Sequence, residues 1–63
     1  MGLYDLQTRI TAQSDLFGGQ IRQGDEVDVT LIGGRQVVAI GYKVKTGGRY
    51  ELFADDLKKL EGG

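Results

Sequence analysis

The sequence predicts a small all-β barrel, and three observations lead to that fold class. Two stretches, residues 3–12 and 25–31, alternate apolar and polar side chains with the two-residue period of half-buried strands. Glycine pairs at 33–34 and 47–48 follow predicted strands, where tight hairpin turns need positive φ angles. Proline is absent. The 63 residues are expected to form a single domain, 1–63, because a chain this short buries only ~60% of its surface and cannot support two cores.

The first predicted strand spans residues 3–12 and leads into a long loop. Turn-forming residues cluster in residues 13–24, including Gly18-Gly19, so we expect irregular structure there. Three apolar side chains of this loop can pack inward, namely Leu16, Phe17 and Ile21. The alternative is that Leu16 or Phe17 stays exposed. The side chains predicted to lie on the apolar face of this strand are Tyr4, Leu6, Thr8, Ile10 and Ala12.

The second and third strands are predicted to pair through a two-residue turn at Gly33-Gly34. This register places Val29 opposite Val38 and Val27 opposite Ile40, so that apolar side chains share one face. The residues of the third strand predicted to point inward are Val38, Ile40, Tyr42 and Val44. Those predicted to point outward are Arg35, Val37, Ala39, Lys43 and Lys45.

A second hairpin is predicted at the loop 46–48, followed by a short helical turn. A three-residue loop pairs Val44 with Tyr50 and Lys43 with Glu51. Residues 54–56 end the strand, because their two aspartates are disfavoured in strands and favoured at helix starts. Leu57 and Leu60 are then expected to cover the open end of the barrel.

Three short motifs resemble those of SH3 domains and together span nearly the whole chain. Residues 2–6 are similar to the opening Ala-Leu-Tyr-Asp-Tyr motif, Gly24-Asp25 to the turn after the long loop, and residues 57–60 to the closing strand. The resemblance implies an SH3-like barrel of five short strands. Peptide-binding members of the family hold polyproline on an aromatic floor, of which Tyr4 is the single matching residue here. Binding of PxxP peptides is therefore not predicted.

Composition argues against an enzyme and against a metal site or cofactor. Histidine and cysteine are absent, so zinc sites, disulfides and the usual nucleophile–base pairs are excluded. Asp25, Glu26 and Asp28 do not form a cation loop, because adjacent strand residues point to opposite faces. Type II dihydrofolate reductases also use an SH3-like barrel, but their Val-Gln-Ile-Tyr active-site run is absent.

The leading functional hypothesis is a non-catalytic module that binds a protein partner through residues 13–23 and the adjacent barrel surface. The expected contact residues are Tyr4, Asp15, Leu16 and Phe17. The sequence has neither a signal peptide nor an apolar run of the ~18 residues that span a bilayer, so a cytoplasmic protein is expected.

Three alternatives stay open at this point. Weak nucleic-acid binding would use the basic segment between residues 35 and 49, namely Arg35, Lys43, Lys45 and Arg49. Self-association would use an apolar patch of Val37 and Ile32. The simple composition and the glycine pairs at the turns would also suit a designed or simplified barrel without a cellular function.

Overall fold

The computed structural model describes residues 7–62, which form one antiparallel sheet, a short 3₁₀ turn and a C-terminal helix. The strands follow chain order in the sheet, β1-β2-β3-β4. The predicted strand start at residue 3, the opening motif and Tyr4 lie outside the described residues. The bounds are β1 Gln7–Thr11, the 3₁₀ turn Phe17–Gly19, β2 Glu26–Leu31, β3 Val37–Lys43, β4 Arg49–Phe53 and α1 Ala54–Glu61.

The second strand confirms the alternating burial expected from the sequence, whereas in β1 Ile10 is the one residue that is partly buried. Ile10 of β1 lies opposite Val27 of β2, and Arg9 lies opposite Asp28 on the other face. Val27 and Val29 are buried, and the charged residues between and around them point away. Pleating places successive side chains on opposite faces of a strand. A strand with one apolar and one polar face can therefore be predicted from its own sequence.

The predicted register between β2 and β3 is wrong by three residues. Val29 lies opposite Gly41 and Thr30 opposite Ile40, because residues 32–36 form a longer loop than a two-residue turn. Gly34 packs in this loop so tightly that a β-carbon there would clash with the carbonyl oxygen of Val37. The second glycine therefore serves a close backbone approach rather than a two-residue turn.

The predicted register between β3 and β4 is shifted in the same way. Gly41 lies opposite Tyr50 and Ile40 opposite Glu51, so Lys43 does not face Glu51. The loop occupies residues 44–48 and is closed by the N–H of Lys43, which donates to the carbonyl of Gly48 at 2.8 Å. The three-residue loop at 46–48 is therefore also wrong.

These two shifts reverse the orientation of β3 relative to the prediction. An odd shift exchanges the two faces of a strand. Ala39 and Gly41 face the core, whereas Tyr42 and Val44, predicted to point inward, are 38% and 40% exposed. Two other residues predicted to point inward do lose their exposure: Ile40 is buried, and Val38, beside the irregularity between Val37 and Ala39, packs against the core. The inner side leaves no room for larger groups, because a β-carbon on Gly41 would lie 3.0 Å from Cγ1 of Val27.

The second layer consists of α1 and the segment of residues 12–25, both packed on the inner side of the sheet. Leu60 is fully buried, as expected, and its carbonyl accepts from the N–H of Gln13 at 3.1 Å. The N–H of Phe53 donates to Oδ2 of Asp56 at 3.3 Å, which stabilises the helix start. The core is made of Ala12, Leu16, Ile21, Val27, Val29, Ala39, Leu52 and Leu60.

The fold is thus mostly β, with four strands and a helix in the described part of the chain rather than five strands and a helical turn. Residues 57–60, which the family resemblance assigned to a closing strand, belong to α1. Within residues 7–62, β1 and β4 pair with one neighbour each, so the sheet is open there. The interior faces one side of that sheet.

Candidate functional site

The segment that the sequence assigned to an irregular loop is a small ordered hairpin. Leu16 and Ile21 exchange two backbone hydrogen bonds, of 2.7 and 3.1 Å, and enclose the 3₁₀ turn. At its base the N–H of Ala12 donates to the carbonyl of Asp25, and the N–H of Gly24 donates back to Ala12. Both ends of the segment are thereby fixed to the sheet.

Two carboxylates hold the returning half of this hairpin. Oδ1 of Asp15 accepts from the N–H of Gln23 at 2.8 Å, and Oδ2 of Asp25 accepts from the N–H of Arg22 at 2.9 Å. The Arg22 N–H is the main reason why the pKa of Asp25 lies below its ordinary value; partial burial opposes the shift and the nearby Lys43 ammonium adds to it. Asp15 and Asp25 thus serve the loop itself.

Phe17 stands at the tip of the hairpin in an unusual backbone conformation. Its φ angle is +54°, which disfavours large side chains, and Gly18 and Gly19 follow with positive φ as well. The ring stacks on Tyr50 of β4, with centroids 5.2 Å apart and planes 16° from parallel. Phe17 is half-buried, so one part of the ring contacts the core and the rest faces solvent.

The structure therefore separates the predicted protein-binding residues. Asp15 is exposed and Phe17 is partly exposed at the hairpin tip. Leu16 is only 6% exposed and belongs to the core, so its side chain offers no surface to a partner. Its hydrogen-bond pairing with Ile21 explains the burial, and no pattern in the sequence indicates that pairing. Tyr4 lies outside the described residues.

The four basic residues proposed for nucleic-acid binding are not brought together. Lys43 lies on the inner side, where its Nζ donates to the carbonyl of Gln20 at 2.8 Å and pairs with Asp25 at 3.3 Å. Arg49 lies on the opposite face of the sheet. Arg35 and Lys45 occupy loops at opposite ends of β3. No continuous basic surface links the four.

The face of the sheet turned away from α1, here called the outer face, was missed from the sequence. This face carries Ile40 and Tyr42 of β3 and Val44 of the loop that follows, here called the apolar stripe, which the predicted register placed in the core. Ile40 is buried, and the other two are exposed. Alternation along β3 predicts which residues lie on this face only when the lengths of the flanking loops, and hence the register, are known. The residues on either side of the stripe are Arg9, Glu26, Asp28, Thr30, Arg49 and Glu51.

One ion pair on the outer face is well formed. Nε of Arg9 lies 2.8 Å from Oδ1 of Asp28, and a second nitrogen of the guanidinium lies 3.2 Å from the other carboxylate oxygen. This contact raises the pKa of Arg9 and lowers the pKa of Asp28. Glu51 lies 3.8 Å from Arg49 along β4.

A shallow cleft of about 410 Å³ opens where β1, β2 and the 44–48 loop meet. Two acidic residues, Asp25 and Glu26, line the cleft. The part of the chain from 7 to 62 contains no group of three side chains that could bind a metal ion. In that same part, no helix has the length and apolarity to cross a membrane. The cleft is lined by Thr11, Gly24, Asp25, Glu26, Val44 and Lys45.

Comparison of the chain with protein-family models, with curated proteins and with solved structures found no match.

Proposed function

We propose that the protein is a non-catalytic interaction module that binds a protein partner through residues 13–23 and the adjacent surface of β4. The observation behind this proposal is the Phe17 ring, which is partly exposed, stacked on Tyr50 and held at a φ of +54°. A bulky residue adopts such a conformation at a cost of about 1–3 kcal/mol, and strained positions of this kind cluster at binding sites.

The rigidity of the hairpin supports the same proposal. Leu16 and Ile21 exchange backbone hydrogen bonds across the turn that carries Phe17. On the returning half of the hairpin, the N–H groups of Arg22 and Gln23 donate to the carboxylates of Asp25 and Asp15. A ring that is ordered before binding loses little conformational freedom when a partner covers it. Rigid aromatic side chains are also the residues that contribute most at protein–protein contacts. Phe17 therefore has the properties of an interface anchor.

The proposal includes the SH3-like relationship of the fold. Its support is the order of elements, in which a strand and a long hairpin precede a meander of three strands. Residues 57–60 depart from the family because they are helical. The binding surface proposed here is accordingly the hairpin with Tyr50, and not the aromatic groove of peptide-binding members.

Affinity capture with matched variants tests this function. Immobilised wild-type protein, Phe17→Ala and Phe53→Ala are incubated with an extract of the source cells, and the retained proteins are quantified by mass spectrometry. Phe53 is the control because it is 48% exposed and points away from the hairpin. We expect a protein that wild type and Phe53→Ala retain and Phe17→Ala loses, with at least about tenfold weaker binding by calorimetry.

Circular dichroism of Phe17→Ala should match that of wild type. Equal retention by all three proteins would refute the role of Phe17. Global unfolding of Phe17→Ala would refute it as well, because the ring would then be a core residue.

A further inference from the structure

The outer face of the sheet combines apolar side chains with a regular arrangement of charge. Tyr42 and Val44 of the apolar stripe are 38% and 40% exposed, and Phe53, the last residue of β4, adds apolar surface with 48% of its area exposed. Among residues 7–62, both other elements of the fold, α1 and the 12–25 hairpin, pack on the inner side. They leave Tyr42 and Val44 exposed on this surface, whereas Ile40 at its centre is only 8% exposed.

The charges beside the stripe are arranged so that one edge complements the other. In the row that crosses the sheet at Tyr42, Asp28 of β2 lies on one side and Arg49 of β4 on the other. In the adjacent row, Thr30 and Glu51 flank Ile40. In each row, the polar residue on one side of β3 could therefore form an ion pair or a hydrogen bond with the residue on the other side if a second copy brought them together.

We propose that the outer face is the interface of a homodimer, in which two sheets pack face to face about a two-fold axis parallel to β3. This axis places β2 of one copy over β4 of the second copy. Asp28 then meets Arg49 of the second copy, and the relation is repeated by symmetry. The apolar stripes face each other, with strands aligned to within about 30° as in β-sandwiches.

A second copy fits this surface better than an unrelated chain because the same face carries Arg49 and Asp28, the latter paired with Arg9 of its own chain, so that Arg49 of the second copy extends an existing ion pair. A partner of uniformly basic or acidic character would meet repulsion on one side of Tyr42. The available area is modest: four strands about 4.8 Å apart give an interface well below the ~800 Å² per partner of stable complexes. The dimer is accordingly weak.

The dimer is independent of the proposed partner binding. Phe17 and its stacking partner Tyr50 lie on the inner side of the sheet, whereas the stripe lies on the outer side. A dimer of this kind leaves both hairpins free and makes the module bivalent. Failure of either proposal leaves the other standing, since Phe17→Ala alters capture and leaves the outer face intact.

Sedimentation equilibrium of the full chain between about 10 µM and 1 mM tests the dimer. Wild type should show a monomer–dimer equilibrium, and Tyr42→Lys should stay monomeric over the whole range with unchanged circular dichroism. Lys58→Asp, a charge reversal on the exposed side of α1, is the control and should dimerise as wild type does.

A charge exchange identifies the contact itself. Asp28→Arg places two arginines together in each contact of the dimer, and Arg49→Asp places two aspartates together, so each variant alone should be at least tenfold weaker in self-association. In an equimolar mixture, both contacts of the heterodimer pair an arginine with an aspartate. The mixture should therefore dimerise with near wild-type affinity.

Several results would overturn the proposal. Wild type that remains monomeric at 1 mM would show that the outer face is not the interface of a homodimer. Dimerisation of Tyr42→Lys would assign the interface to another surface. A mixture of the two charge variants that stays monomeric would contradict the two-fold arrangement about β3.

Discussion

At the scale of single residues, the backbone of Phe17 is the feature that most needs an explanation. A positive φ is cheap for glycine and costly for a residue with a β-carbon. Here the stack on Tyr50 and the bonds between Leu16 and Ile21 hold the conformation in place. The surrounding contacts thus compensate a local strain that a glycine would avoid.

Replacement of Phe17 by glycine and by alanine separates the backbone strain from the ring. Both variants lose the stack, but alanine keeps the unfavourable φ, so Phe17→Gly should be more stable than Phe17→Ala by about 1 kcal/mol in urea denaturation. Gln20 is the control, because its φ of −67° and ψ of −33° are helical. There the order should invert, and glycine should be the less stable variant.

An alanine variant at position 17 that equals or exceeds the glycine variant in stability would contradict the left-handed conformation of Phe17.

At the scale of elements, the sequence predicted what alternation determines and missed what loop length determines. β2 was recognised because one of its faces is polar, and the helix start because Asp55 and Asp56 disfavour a strand. β3 is apolar on both faces, so alternation could not choose between Ala39 and Ile40 as the inward residue. The lengths of the loops at 32–36 and 44–48 made that choice.

The binding hairpin could be predicted only in part for a related reason. Glycines and small polar residues indicated turns in residues 13–24, but not the pairing of Leu16 with Ile21. The strand that returns from this bridge is held by Asp15 and Asp25. Their carboxylates accept hydrogen bonds from the backbone N–H groups of Gln23 and Arg22, which in a regular hairpin would bond to a neighbouring strand. Side-chain bonds of this type have no periodicity to recognise.

The carboxylate of Asp25 predicts an acid-sensitive fold. Because its folded pKa is lowered, as is that of Asp28, each contributes stability above the unfolded pKa near 3.8 that is lost as pH falls through the lower folded pKa. The urea midpoint should therefore fall when the pH drops below about 4. The double variant Asp25→Asn, Asp28→Asn should show a flatter pH profile over the same range.

A double variant that loses stability in acid as steeply as wild type would show that these two aspartates are not responsible.

At the scale of the whole molecule, the two faces of the sheet have different roles. The inner face receives α1 and the hairpin, and its small residues Ala39 and Gly41 allow that layer to approach closely. The outer face keeps the larger apolar side chains of β3. Partner binding by the hairpin and dimerisation through the outer face both depend on this orientation of the central strand.

The register of β3 is therefore the central claim, and α-proton contacts in an NMR spectrum test it most directly. Ile32 donates to the carbonyl of Val38, so the pair of Val29 and Gly41, an odd number of positions away, is a non-hydrogen-bonded pair whose α-protons lie close together. A strong nuclear Overhauser contact between these α-protons is expected. Cross-strand contacts of Val29 with Val38 and of Val27 with Ile40 would instead contradict the account.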